Sequence, residues 1–359
     1  MYKKFFMGIA AMAALTLVSC SSDDLNSLSD NSSKNEAISF DGYLGRSAVS
    51  VNGTRGSVLE IADLKASTEG FGVFGNYNST GGQKFGFNLF NNQPVTYKTS
   101  AWTYSPVRYW PTQGLIDFLA YAPYDKNTTL NTTLEGKMTS CINFTVENTV
   151  SKQKDLLWAN AIGQTKQTIS ATDNKVKFTF AHALSRLGYS VKLKDAYSDA
   201  TITLKNITLA GSTDGTKPAF YKGGTIDLSH TSSSTTSLWN TSSSEKQIFT
   251  WFKGDQKLTA DKTNNTEYLF VIPQDFSQKT SGADELYVIV EYTIQTGTTA
   301  TMTSKVYQKI EKNFEQGKAY TINLTIGLTP IDFDATVTPW TVDDNDNINI
   351  DSWVDIEQK

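Results

Sequence analysis

The sequence predicts an all-β protein with two domains, and three observations carry that prediction. The chain is rich in Thr, Ser, Asn and Gly and holds 16 Tyr and 19 Phe against 8 Pro and 2 His, a mixture suited to short strands joined by polar turns. Apolar residues recur at alternate positions in one segment after another, and no segment sustains the 3.6-residue period of a helix. The chain has 359 residues. Without an N-terminal leader about 340 remain, more than the ~250–300 that one hydrophobic core usually supports. The polar stretch Gln164 to Asn174 is the expected boundary, giving an N-terminal domain over 37–170 and a C-terminal domain over 171–359.

The leader occupies 1–19. Lys3 and Lys4 give it a positive start, Phe5 to Val18 form an apolar run too short to span a bilayer, and Ser19 is small, which is the pattern of a secretion signal rather than of a membrane helix. Leu17-Val18-Ser19-Cys20 is similar to the lipobox of bacterial lipoproteins, which implies that the Cys20 thiol takes a diacylglycerol thioether before cleavage. Residues 20–36 are a polar run that cannot bury enough apolar surface to offset the entropy of ordering it, and they read as a flexible linker. Asp23 and Asp24 resemble the acidic export signals of some surface lipoproteins, and they equally suit a plain solvated linker.

Strand one is predicted over Ala37 to Leu44, where Ile38 and Phe40 alternate with Ser39 and Asp41. Arg46 and Arg55 follow among Gly, Ser, Ala and Thr, in backbone that a trypsin-like protease could bind in extended form. Ser57 to Lys65 suits a short helical or irregular turn. Gly70 to Tyr77, Val95 to Tyr97, Trp102 to Pro111, Ile116 to Pro123, Cys141 to Val146 and Asp155 to Ala159 are the next expected strands. In the second half, Lys175 to Phe180 and Ala181 to Leu193 read as strand, turn, strand. Thr201 to Leu209, Tyr268 to Pro273, Leu286 to Ile294 and Gly317 to Ile326 alternate most strictly. Gly211 to Asp261, with its runs of Ser and Thr, is expected to form long exposed loops.

Several function classes lack their minimal hardware. The sequence contains no HExxH, no CxxC and no GxxxxGK[ST]. Gly70 to Gly75 matches GxGxxG but lies in a strand-like run with no helix behind it to hold a pyrophosphate. His182, with Ser185 and Asp173 or Asp195 near it in sequence, reads as a structural histidine satisfied by backbone. Cys141 has no mate once Cys20 is lipidated and reads as a small buried strand residue. A net charge of −4 without a basic run argues against nucleic acid as a partner. Asp343 to Asp351 alternates acids and amides as a calcium loop does, yet lacks the loop glycine and the terminal glutamate, so it reads as a last strand carrying Ile348 and Ile350. No metal and no cofactor is expected. Trp102, Tyr104, Tyr109 and Trp110 are either core packing or a platform on which sugar faces stack.

Taken in order, the lipobox, the early strand with arginines behind it, Trp102-x-Tyr104-Ser105-Pro106-x-Arg108-Tyr109-Trp110-Pro111, Phe180 to Arg186, Gly317 to Leu324 and Val337-Thr338-Pro339-Trp340 resemble the fimbrillin family of surface pilus subunits from Gram-negative anaerobes. The resemblance implies two β-sandwich domains of transthyretin-like topology. It implies a non-enzymatic structural subunit or adhesin, delivered to the outer membrane as a lipoprotein and moved into a fimbria. It further implies that an arginine-specific protease removes the first strand, here after Arg46 or Arg55, and that another subunit's terminal strand fills the groove by β-augmentation. Ile38 and Phe40 are then the anchors removed, and Ile348 and Ile350 the anchors of a donor. The partners implied are other pilus subunits, the protease, the outer membrane through the lipid, and glycans or proteins of host or bacterial surfaces. The alternative is a monomeric, membrane-anchored carbohydrate-binding lipoprotein that uses the four aromatic residues as its platform.

Overall fold

A computed structural model describes residues 36–44, 59–78, 89–134, 136–169, 173–231, 237–242, 244–298 and 301–327, together with the backbone of four short tail strands between 334 and 355. The protein is all-β, as expected. Its first sheet is ordered β1 (Phe40–Leu44), β9 (Val176–His182), β8 (Leu157–Gln164), β5 (Leu115–Ala122), β2 (Phe71–Asn78), β3 (Phe90–Lys98) and β4 (Ala101–Thr103). All its pairings are antiparallel except β1 on β9, which is parallel. Helix α1 (Ile61–Ala66) adds Leu64 to the core, and its capping box joins Glu60 and Asp63. Helix α2 (Lys166–Ile169) adds Ile169.

A second sheet runs β17 (Thr263–Asn264), β10 (Ser185–Leu193), β23 (Lys318–Ile326), β26 (Asn347–Ile350) and β24 (Asp334–Ala335). Strand β18 (Leu269–Val271) also pairs with β10, and β25 (Val337–Pro339) with β23. A third runs β16 (Phe249–Lys257), β11 (Ala200–Ala210), β20 (Tyr287–Thr296), β21 (Met302–Lys309) and β27 (Val354–Asp355). A four-stranded sheet runs β14 (Trp239–Asn240), β13 (Gly223–Asp227), β7 (Met138–Thr145) and β6 (Leu130–Thr132). Two small ribbons complete the set: β12 (Phe220–Tyr221) with β15 (Lys246–Gln247), and β19 (Gln274–Asp275) with β22 (Asn313–Phe314).

The inner strands β5 and β2 are buried on both faces, which explains their near-continuous apolar runs. In β5, Ile116, Phe118, Ala120 and Ala122 enter one aromatic core, while Leu119 and Tyr121 enter a larger core shared with the other sheets. Strand β2 does the same with Phe71 and Val73 on one side and Phe74 on the other. The glycines of the GxGxxG match serve this packing. A Cβ on Gly72 would lie 2.4 Å from the Tyr121 ring, and Gly70, at φ +64°, has the Val95 carbonyl where its side chain would be. Val176, Phe178 and Phe180 of β9 belong to the aromatic core that residues 38–169 otherwise supply.

Gly211 to Asp261 departs from expectation. In place of long loops it holds strands β12 to β16 and buries Phe220, Ile226, Leu228, Trp239, Phe249 and Trp251. Its strands are mostly two to five residues long, too short for alternation to stand out against the Ser and Thr around them. The Trp102 to Pro111 strand is also shorter than expected: only Ala101–Thr103 forms a strand, and the chain then folds back over the aromatic core.

Candidate strand-exchange groove

Strand β1 lies at the edge of the first sheet and shows the alternation that its sequence predicts. Ile38, Phe40 and Gly42 are buried, Leu44 is half-buried against the same core, and Tyr43 points outward with 45% of its surface exposed. The register on β9 runs from Phe40 opposite Val176 to Leu44 opposite Phe180. Just before it, the Val176 N–H donates to the Ser39 carbonyl (2.8 Å), and the Ile38 N–H donates to the Arg108 carbonyl (2.8 Å). Ala37 forms an antiparallel bridge with Tyr109. The segment 37–44 therefore lies in a slot between β9 and the chain around 104–109.

The slot is aromatic. The Phe40 ring meets Phe90, Tyr104, Phe118 and Phe178 at centroid distances of 5.4–5.6 Å, edge-on or tilted for the first three, as ring quadrupoles prefer. At the next inward position the slot narrows. A Cβ on Gly42 would sit 3.2 Å from Phe180 Cε2 and 3.7 Å from Phe71 Cε1, so only a small residue fits there. The Tyr104 hydroxyl donates to the Ile38 carbonyl (2.7 Å) and accepts from the Arg108 N–H (3.3 Å). Burial pushes this phenol up to about 12, against smaller opposing contributions from Arg108. Full burial of Ile38 and Phe40 and partial burial of Leu44 contribute about 1.5–3 kcal/mol for each fully buried side chain. Removing the strand would expose that slot together with one edge of β9.

The remaining site residues of the sequence reading fall as follows. Trp102 and Trp110 are buried, Trp102 edge-on to Phe71 (4.8 Å) and Trp110 edge-on to Phe118 (6.1 Å). Tyr104 is half-buried, and of the four rings only Tyr109 is well exposed, at 51%. Together they form no open stacking face, because the indoles are needed to close the aromatic core. Ile348 and Ile350 lie in β26, whose backbone runs parallel to β23 with Ile348 opposite Ile322 and Ile350 opposite Leu324. Cys20, Arg46, Arg55, the leader and nearly all of the linker lie outside the described residues, as do Asp343 to Asp346.

His182 takes a side-chain partner that is neither of the aspartates near it in sequence. Its Nδ1 is 2.8 Å from Asp155 Oδ2, with both side chains buried, and the same oxygen accepts from the Leu59 N–H (3.0 Å). The pair ties the start of the described chain beyond 58 to the end of β9. Ser185 donates to the Glu315 carbonyl instead (2.8 Å). Cys141 is half-buried in β7, its thiol pushed up by burial and secondarily by Asp227.

One signal in the sequence escaped the strand-by-strand reading. The inward-outward pattern of Ile38-Ser39-Phe40-Asp41-Gly42-Tyr43-Leu44 returns near the other end of the chain as Ile348-Asn349-Ile350-Asp351-Ser352-Trp353-Val354. Each apolar position is matched by an apolar residue, the outward aspartate by an aspartate and the outward tyrosine by a tryptophan. Gly42, where the slot admits only a small side chain, is matched by serine. Comparing the ends of the chain for like heptads would have found it.

Comparison with known proteins identifies the family. Residues 55–340 match the family model described as fimbrillin-like. The fimbrium subunit Fim1C of Phocaeicola vulgatus is 27% identical over 387 aligned positions, covering 96% of this chain and 98% of its own. The crystal structure of a fimbrial protein from Bacteroides vulgatus superposes with a TM-score of 0.56 at 20% identity, over 89% of this chain and 99% of that one. The matched region spans most of the sequence and includes the slot-forming strands, and this chain belongs to the fimbrillin-like family.

Proposed function

We propose that this chain is a structural subunit or adhesin of a surface pilus, exported as a lipoprotein through Cys20 and joined to its neighbours by strand exchange. An arginine-specific protease cuts behind β1, the segment 37–44 leaves its slot, and the tail of another subunit enters in the same direction, parallel to β9. The observation that carries this is the position-by-position likeness of 348–354 to 38–44, down to the small residue at the narrow point of the slot. The relative named as a fimbrium subunit supports the same role. Strand β1 ends at Leu44, so Arg46 is the nearer cleavage point and Arg55 the alternative. The lipid acts as a delivery address at the outer membrane, shed with β1 on entry into the fimbria.

A preparation lacking the leader, treated with an arginine-specific protease and run on a gel without boiling, is expected to give a ladder of polymers. Ile350→Asp is expected to be cut equally well and to give no ladder. Clean cutting at Arg46 or Arg55 that leaves the parent chain monomeric overturns the proposal.

A further inference from the structure

The slot carries charge on its outer row as well as shape on its inner one. Along β9, Val176, Phe178, Phe180 and His182 are buried, while Lys177, Thr179 and Ala181 face the other way. The parallel register sets Asp41 directly opposite Lys177 and Tyr43 opposite Thr179. Neighbouring strands lie about 4.7–4.9 Å apart, so such partners stand side by side on one face. Lys177 is the one charge of that row, and its side chain is 34% exposed. Its ammonium is also 3.7 Å from Asp173, an outlying carboxylate whose side chain is 86% exposed. At the other edge of the slot stands Arg108, whose carbonyl accepts from the Ile38 N–H and whose charge opposes the rise of the Tyr104 phenol.

The likeness between the two ends of the chain extends to charge. Glu36 and Asp41 flank Ile38 and Phe40, and Asp346 and Asp351 flank Ile348 and Ile350 at the same spacing. In the register that brings Ser352 to the place of Gly42, Asp351 takes the place of Asp41 opposite Lys177. Shape alone sets this register. A shift by two residues, which keeps the inward-outward alternation, would bring Ile350 or Val354 to the narrow point beside Phe180. Charge is then left to decide which tail is accepted. Residues 343–359 carry six acidic side chains against one lysine, so positive groups beside the slot attract this tail and repel a basic one. A charge of either sign would protect an edge strand from stray pairing; an acid in both segments, opposite a lysine, is what a matched pair requires.

We propose that Lys177 selects the entering strand by pairing with an acidic residue at the position of Asp351, so that the tail of a second copy of this chain is preferred over a tail that is basic there. The proposal rests on the strand exchange proposed above. The test is a charge-swap cycle, read by fluorescence anisotropy with labelled peptides of residues 345–357. Every acceptor is the protease-cut chain carrying Ile350→Asp, so that its own tail does not compete, and circular dichroism with a melting curve verifies its fold. Expected is that the Asp351→Lys peptide binds the parent acceptor about 2- to 10-fold more weakly than the native peptide, and that the order reverses on a Lys177→Glu acceptor. The preference should shrink at 1 M salt, where charges are screened within about 3 Å. A Lys177→Gln acceptor should lose most of it. Failure of the native peptide to bind any cut acceptor overturns the strand-exchange reading and this proposal with it. Native binding without a preference between the two peptides on the parent acceptor, or a preference that survives both substitutions of Lys177, overturns this proposal alone.

Discussion

The narrow point of the slot makes a demanding prediction about the tail. If Ser352 takes the place of Gly42, enlarging it must obstruct docking. A Cβ at that place is already 3.2 Å from Phe180 Cε2 and 3.7 Å from Phe180 Cδ2 and Phe71 Cε1, and both rings are at most 1% exposed. Serine is admitted by a shift of a few tenths of an ångström in Phe180, whereas an aromatic ring must displace two buried rings. Overpacking of that kind costs about 1–3 kcal/mol, which is about 5- to 150-fold in affinity. We predict that a labelled synthetic peptide spanning 345–357 binds the protease-cut chain, measured by fluorescence anisotropy, and that Ser352→Phe weakens it by that factor. An Ile350→Asp peptide should bind more weakly still, because it places a carboxylate where Phe40 meets Phe90, Phe118 and Phe178. Equal binding by the native and Ser352→Phe peptides would refute the proposed register.

Three further predictions concern the slot and its supports. Tyr104→Phe removes a donor to Ile38 and should cost about 0.5–1.5 kcal/mol, read as faster release of the cut β1 segment. Because burial raises the Tyr104 phenol to about 12 from its usual 10, the folded state holds that proton more tightly. Its contribution is therefore complete below about pH 10 and is lost between about 10 and 12; alkaline titration of the variant should show a smaller loss in that window, and an unchanged profile would count against it. Asp155→Ala deprives the Leu59 N–H of its acceptor and the His182 ring of its carboxyl partner; leaving a buried polar group unsatisfied costs about 1–3 kcal/mol, so thermal melting should fall clearly, and a variant as stable as the parent would contradict the structural role. Trp102→Ala empties a buried site beside Phe71 and Tyr97 and should cost about 3–5 kcal/mol, checked by denaturant unfolding; a change below 1 kcal/mol would mean that the indole is not part of the core.

Much of the slot was legible in advance. Ile38 and Phe40 alternate with polar neighbours, and the structure buries them to 1% and 2%. The long alternating strands over 201–209, 286–294 and 317–326 appear as β11, β20 and β23. Strand β21 was not foreseen, because Met302 to Lys309 carries Val306 as its one fully buried side chain and has no apolar stripe to detect. The partner of His182 was also out of reach: Asp155 is 27 residues away, and only the pairing of β8 with β9 brings the two segments together. The aromatic residues from 102 to 110 already favoured core packing over a stacking platform in the sequence, and Trp102 and Trp110 are buried to 8% and 6%.

By itself the sequence determined what is local: strand periodicity, the all-β class, the lack of metal and phosphate motifs, and two matching heptads at opposite ends of the chain. Tertiary structure decided the rest, because those properties depend on which strand lies beside which. It set β1 parallel to β9. It placed Phe180 and Phe71 over Gly42, turning an unremarkable glycine into a size filter. It aligned Asp41 with Lys177, since side chains far apart in sequence meet on one face only when the sheet's register makes them neighbours.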